Sequence, residues 1–129
     1  MRLLLDTRVF LWAVADPDLL RPEARSAIED SNNVVFVSAG VAWEIGIKFA
    51  LGKLTVPADP VVWLPARVRS MGFQALNITV EHALAAGSLP EIHRDPFDRI
   101  MIAQAQIEGL TFVTRDPENQ KYAIRLLQA

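Results

Sequence analysis

The chain has 129 residues, 51% of them hydrophobic, enough for one domain with a core of its own and too few for two. It has no cysteine and two histidines, His82 and His93, so disulfides, thiolate metal sites and a His-x₃-His zinc pair are excluded; any metal is expected on oxygen ligands, which favour Mg²⁺ or Mn²⁺. The net charge of −2 gives no global basic excess of the kind that marks nucleic-acid binding, and no apolar run approaches the roughly 18 residues of a membrane span.

Arg2-Leu3-Leu4-Leu5 reads as a buried strand ended abruptly by Asp6. It lacks the apolar h-region and cleavage site of a signal peptide, which places the chain in the cytoplasm. A helix is predicted from Val9 to Val14, stopped by Asp16-Pro17, and a more polar one over Arg21 to Asp30. After a turn at Ser31-Asn32-Asn33, the β-branched run Val34–Val37 is the second strand, and Ser38-Ala39-Gly40 leads into a helix from Val41 to Leu51 with Glu44 in its first turn. Gly52, Pro57 and Pro60 mark a loop, Val61 to Ser70 a helix, and Gln74 to Ile78 a short strand. Thr79 caps a helix over Val80–Ala86 that Gly87 stops.

The loop Ser88–Arg94 then delivers Asp95-Pro96-Phe97-Asp98, a helix start in which Asp95 is the N-cap, Pro96 takes the first helical position and Asp98 sits near the positive dipole end. Ile102 and Ala105 follow Asp98 at helical spacing, so the acid heads an apolar face and is expected to point into a cleft rather than to bulk water. This helix ends at Glu108-Gly109, Leu110–Thr114 is a strand followed by Arg115-Asp116-Pro117, and Ala123–Leu127 is a last strand. Strands alternating with helices predict one three-layer α/β/α domain spanning residues 1–129 with a mainly parallel sheet, in which ligands collect beyond the carboxyl ends of the strands.

By chain direction, Asp6, Glu44, Asp98 and Asp116 all belong to that edge. Four carboxylates gathered without cations repel, and one or two divalent metals would reconcile them. A metal pair can activate water and brace the attacking and leaving oxygens of a phosphodiester. Singly, each acid also has an ordinary explanation: dipole complementation for Asp98 and Asp116, an i,i+4 helix pair with Lys48 for Glu44. Asp6, ending a buried strand, is the hardest to explain away. Arg8, Lys48, Arg94, Arg99 and Arg115 neighbour the acids and could form a positive rim for a polyanion, or simply neutralise the carboxylates. His93 is a candidate phosphate or loop contact, His82 a surface or boundary residue, and Trp12, Trp43 and Trp63 are expected as core anchors.

The segments Leu3-Leu4-Leu5-Asp6-Thr7, Trp43-Glu44-Ile45 with Lys48, His93-Arg94-Asp95-Pro96-Phe97-Asp98-Arg99 with Ala103-Gln104-Ala105, and Thr114-Arg115-Asp116 resemble, in this order, the PIN-domain ribonucleases, specifically the VapC-type toxins of bacterial toxin–antitoxin pairs. The resemblance implies a five-stranded parallel sheet, Mg²⁺- or Mn²⁺-dependent endoribonuclease activity on structured RNA such as tRNA or rRNA, dimerisation, and inhibition by a VapB-like antitoxin. It assigns metal binding to Asp6, Glu44, Asp98 and Asp116, and gives Thr7 the role of orienting Asp6 or holding a metal-bound water. Asp95, Arg8, Lys48, Arg99 and Arg115 are then candidates for supporting the acids or contacting substrate. Two positions depart from the family pattern: Arg8 stands where His or Asn is usual, and Val41 where Ser or Thr precedes the Glu by three residues. An alternative follows from them, a catalytically weakened module that binds RNA or protein without cutting. A phosphotransferase using Asp6 would need a second Asp where Arg8 stands.

Overall fold

The computed structural model describes residues 1–129. Its five strands, β1 (Arg2–Leu5), β2 (Val34–Ser38), β3 (Gln74–Leu76), β4 (Thr111–Thr114) and β5 (Arg125–Gln128), form one sheet in the order β3-β2-β1-β4-β5 with every pair parallel. The helices are α1 (Thr7–Ala15), α2 (Pro22–Glu29), α3 (Ala39–Ala50), α4 (Pro60–Ser70), α5 (Val80–Gly87) and α6 (Pro96–Glu108). The order steps outward from β1 through β2 to β3, then jumps back to β4 on the other side of β1. Right-handed crossovers therefore put the helices of the two halves on opposite faces, giving the expected three layers. None is long and apolar enough to cross a membrane.

Central position explains the sequence of β1. Leu3, Leu4 and Leu5 are fully buried between the helical layers, so no alternation of polar and apolar residues is possible. Phe10 on α1 packs edge-on against Trp63 at 6.3 Å and tilted against Phe73 at 6.4 Å. Gly109 ends α6 at φ 66°, a left-handed conformation that glycine adopts without a Cβ penalty.

Several boundaries move. α1 begins at Thr7 because the Asp6 side chain already caps it. β3 stops at Leu76, opposite Ser38, because β2 turns into α3 there and leaves Ile78 no partner. β5 is displaced to Arg125–Gln128, preceded by a 3-10 turn over Pro117–Lys121 that the sequence did not suggest.

Two expectations are corrected. His82 is not at the surface: it is 1% exposed, its Nδ1 accepting the Thr79 N–H at 3.0 Å and its Nε2 meeting Glu108 Oε1 at 3.0 Å, so both ring nitrogens are satisfied and the ring can be buried. Trp12 and Trp63 both pack against the core, Trp12 also lining the cleft described below, but Trp43 is 60% exposed, touching Phe97 edge-on at 5.2 Å.

Candidate active site

The strand order reverses between β1 and β4, and a crevice opens beyond their carboxyl ends. Asp6 follows β1 directly. Its Oδ1 accepts the Val9 N–H at 2.8 Å, its Oδ2 accepts the Thr114 hydroxyl at 2.5 Å, and its own N–H donates to the Val113 carbonyl at 3.1 Å. Burial pushes its carboxyl above the usual range, against the opposing hydrogen bonds from Thr114 and Val9 and the charge of Arg8.

Thr114 Oγ1 also accepts from Asn119 Nδ2 and from the Asp116 N–H, each at 3.2 Å. A hydroxyl has two lone pairs and one proton. With donors on the lone pairs, its proton is directed to Asp6. Neither Thr114 nor Asn119 stood out in the sequence as a site residue, because this arrangement exists only once β4 pairs with β1.

Glu44 falls in the second turn of α3, not the first, because the helix starts at Ala39 with Ser38 as its cap; it is 6% exposed and held by the Thr7 hydroxyl on Oε1 at 2.5 Å and by Lys48 on Oε2. Thr7 thus serves Glu44 rather than orienting Asp6. Val41 is fully buried and offers no hydroxyl, yet Glu44 receives one from Thr7.

Asp95 caps α6 by accepting the Phe97 N–H at 2.9 Å, and Asp98 lies one turn in, its side chain 15% exposed. Burial pushes the Asp98 carboxyl up to about 7; the charges of Asp95, Asp6 and Asp116 add to the shift, and His93 opposes it. Burial also acts to raise Asp116, but the Glu118 N–H, the His93 hydrogen bond and the charges of His93 and Arg8 hold its carboxyl below the usual range.

His93 joins these two acids. Its Nε2 lies 2.7 Å from Asp116 Oδ2 and 3.1 Å from Asp98 Oδ2, while its Nδ1 accepts the Asp95 N–H at 3.1 Å. The Nδ1 bond leaves Nε2 as the proton-bearing nitrogen, which donates to Asp116, with Asp98 beside it at ion-pair distance. The His93 main chain is held by the Tyr122 hydroxyl, which accepts its backbone N–H at 2.8 Å. Potential ligand atoms of His93, Asp98 and Asp116 lie within 4.8 Å of one another; as the ring stands, Nε2 bears a proton and Nδ1 accepts the Asp95 N–H, so the oxygens are the free donors of this group.

All four predicted acids, with Asp95, Thr7, Arg8, Lys48 and Arg115, line one cleft of about 620 Å³. Only three of its fifteen lining residues are hydrophobic, which suits ions and polyanions better than an apolar ligand. Arg99 is placed differently from the expectation. Its guanidinium donates to the carbonyls of Ala86 (2.9 Å), Leu89 (3.1 Å), Pro90 (3.0 Å) and His93 (3.3 Å), stapling the loop between α5 and α6, and it does not line the cleft. Arg94 is exposed and also outside it.

A family model for the PIN domain matches residues 3–124. The chain belongs to the PIN-domain family. It is 36% identical over 69 residues to Ribonuclease VapC16 of Mycobacterium tuberculosis, a match covering 51% of this chain and 49% of the relative, so it spans about half the length of that protein. The fold is similar to the structure of VapBC2 from Rickettsia felis bound to a DNA fragment from their promoter, with a TM-score of 0.75 at 16% identity over 100% of this chain and 99% of the other. It is also similar to DNA-bound VapBC from Salmonella typhimurium, with a TM-score of 0.71 at 16% identity over 99% and 98% of the two chains. FitAcB from Neisseria gonorrhoeae follows, with a TM-score of 0.58 at 20% identity over 98% and 96%. Identities this low establish the fold. For a PIN domain, the five-stranded parallel sheet is as expected, and the acids occupy the cleft at its switch point.

Proposed function

We propose that this PIN domain is the toxin of a type II toxin–antitoxin pair and acts as a metal-dependent endoribonuclease, hydrolysing phosphodiester bonds of structured RNA such as tRNA or rRNA in the cytoplasm. The observation that carries this is the convergence of Asp6, Glu44, Asp98 and Asp116 in one polar cleft. Their chemistry fits a divalent cation: the donors are hard oxygens gathered in one polar cleft, and a cation there would favour the ionised form of Asp98, which burial first and the neighbouring acids next push up to about 7. Asp6, Glu44, Asp98 and Asp116 would hold Mg²⁺ or Mn²⁺, which when bound would supply the Lewis acidity for water activation and for the charge on the leaving oxygen.

The chain's own residues prepare the site. Thr114 and the Val9 N–H fix both oxygens of Asp6, Thr7 and Lys48 fix those of Glu44, and His93 aligns Asp98 with Asp116. Preorganised carboxylates lose little freedom when a cation enters. Neither departure removes a contact that this reading needs: Arg8 lies over Trp12 and makes no ion pair with the carboxylates, and Glu44 has a hydroxyl partner in Thr7 despite Val41.

A VapB-like antitoxin is the proposed partner, covering the cleft with an extended or helical segment and inserting an Arg among the acids. Self-association as a homodimer is supported by Trp43, Ile47 and Leu51, exposed apolar residues one turn apart on the outer face of α3.

In-cell expression of the wild type beside Asp6→Asn and Asp98→Asn, with sequencing of RNA 5′ ends, tests this. Growth arrest and discrete new ends with the wild type alone are expected. Unchanged RNA with all three chains, together with no cutting by purified protein in Mn²⁺, would remove the ribonuclease.

A further inference from the structure

Two guanidinium groups on the cleft rim have no carboxylate partner. Arg8, on α1, and Arg115, just beyond β4, line the same cleft as Asp6, Asp98 and Asp116. Neither comes within the 4.0 Å of a carboxylate that defines an ion pair; those pairs are made by Arg25, Lys48, His82, His93 and Lys121. Both instead lie over the indole of Trp12, with Cζ 5.9 Å (Arg8) and 5.2 Å (Arg115) from the ring centroid. Arg8 and Trp12 stand four residues apart on α1, which brings them to one face, and Arg115 arrives from the opposite side of the switch point.

The cation–π contacts have a consequence for charge. A guanidinium beside a cluster of acids would be expected to neutralise one of them. Held on an aromatic face it acts on the acids through its charge without pairing with any of them, and its in-plane N–H donors remain free for a second partner. The partner that matches two planar donor forks is a phosphate. Without such cations the cleft would repel the very polyanion that its carboxylates are proposed to cut.

We propose that Trp12, Arg8 and Arg115 form a nucleotide subsite beside the carboxylates, in which the two guanidiniums take a phosphate of the RNA strand and the aromatic and guanidinium planes stack the unpaired base next to it. The subsite rests on the ribonuclease reading and names the residues of this chain that would hold the strand. Asp6 and Glu44 are 7% and 6% exposed at the cleft floor, so the strand must bend inward to reach them. A single strand can do this and turn its bases onto the rim, whereas the bases of a duplex are committed to each other.

The test uses the full chain carrying Asp98→Asn, in Mg²⁺, with labelled oligouridylate and a labelled RNA duplex as probes, read by fluorescence anisotropy across salt concentrations. Trp12→Ala is expected to weaken oligouridylate binding about tenfold and Trp12→Phe to restore most of it, in line with base–aromatic stacking. Arg8→Gln and Arg115→Gln are each expected to lower the salt slope by about 0.7, the value for one single-strand phosphate contact. The duplex should bind more weakly and ignore Trp12. The two arginine variants change exposed side chains and carry the test if Trp12→Ala does not fold. The subsite is overturned if Trp12→Ala binds like its parent, if both arginine variants keep the parental slope, or if duplex and single strand bind alike. It is also overturned if the parent binds no RNA; cleavage by the wild type in Mn²⁺ then separates loss of the subsite alone from loss of the ribonuclease reading as well.

Discussion

Thr114 donates its hydroxyl proton to the Asp6 carboxylate across 2.5 Å, linking the residue after β1 to the end of β4 at the point where the strand order reverses. Asn119 and the Asp116 N–H occupy the lone pairs of that hydroxyl, so a residue in a 3-10 turn controls which way a proton points in the cleft. Thr114→Val keeps the side-chain shape and removes the donor. Metal affinity is expected to fall about 10–100-fold, the usual cost of losing a hydrogen bond behind a ligand. Asn119→Ala should act in the same direction and add little to Thr114→Val, since both work through one hydroxyl. Calorimetric titration with Mn²⁺ measures all three variants, and full additivity would refute the relay.

The Asp98 carboxyl makes stability depend on pH. In the folded, metal-free chain it keeps its proton up to about pH 7, whereas its ordinary value is 3.8. Between those values the folded state binds more protons than the unfolded one, so stability falls as pH rises. Asp6, raised by burial, contributes with the same sign; Asp116, held low, contributes stability that is lost only as pH drops below the ordinary carboxyl range. The Asp98 contribution is a few kcal/mol at most, about 4 if the whole shift counts. Urea unfolding in a chelator should show the wild type losing stability relative to Asp98→Asn from about pH 4 to 7, and Mg²⁺ should reverse the loss because it binds the ionised form. A difference that stays flat across this range would mean Asp98 titrates normally.

The four acids were visible in the sequence because each is tied to a local signal: Asp6 terminates an apolar run, Asp98 follows an N-cap and proline, and Glu44 and Asp116 sit at helix and strand ends. The strand order and the residues behind the acids were less accessible. The Thr114–Asp6 bond spans a sequence separation of 108 and the Thr7–Glu44 bond one of 37, and no local pattern announces such pairs. Sequence adjacency also misled: Arg99 directly follows Asp98, but one helical step turns its side chain away toward the carbonyls of the preceding loop.

Arg99 is therefore expected to matter for the loop rather than for substrate. Lysine keeps the charge but has no planar fork to span carbonyls on both sides. Arg99→Lys should cost on the order of 2 kcal/mol, given about 1.5–3 kcal/mol for a hydrogen bond involving a charged group, and should raise amide exchange over residues 88–94. Loss of RNA binding in Arg99→Lys with stability and exchange unchanged would restore a substrate role.

His82 supplies the contrast with His93. One ring nitrogen completes the cap of α5 and the other reaches Glu108 near the end of α6, so the imidazole clamps the two helices that precede β4 without entering the cleft. Removing it abolishes both bonds and opens space at a site 1% exposed. His82→Ala is expected to destabilise the chain by about 2–4 kcal/mol, through cavity and lost hydrogen bonds together. Because the cleft residues keep their own partners, the fraction that remains folded should bind Mn²⁺ with wild-type affinity. His93→Ala should behave in the opposite way, with a modest stability change and weakened Mn²⁺ binding as Asp116 loses its donor and Asp98 the ring beside it. Denaturant unfolding and metal titration on the two variants separate these roles; equal metal affinities would leave His93 with a structural role only.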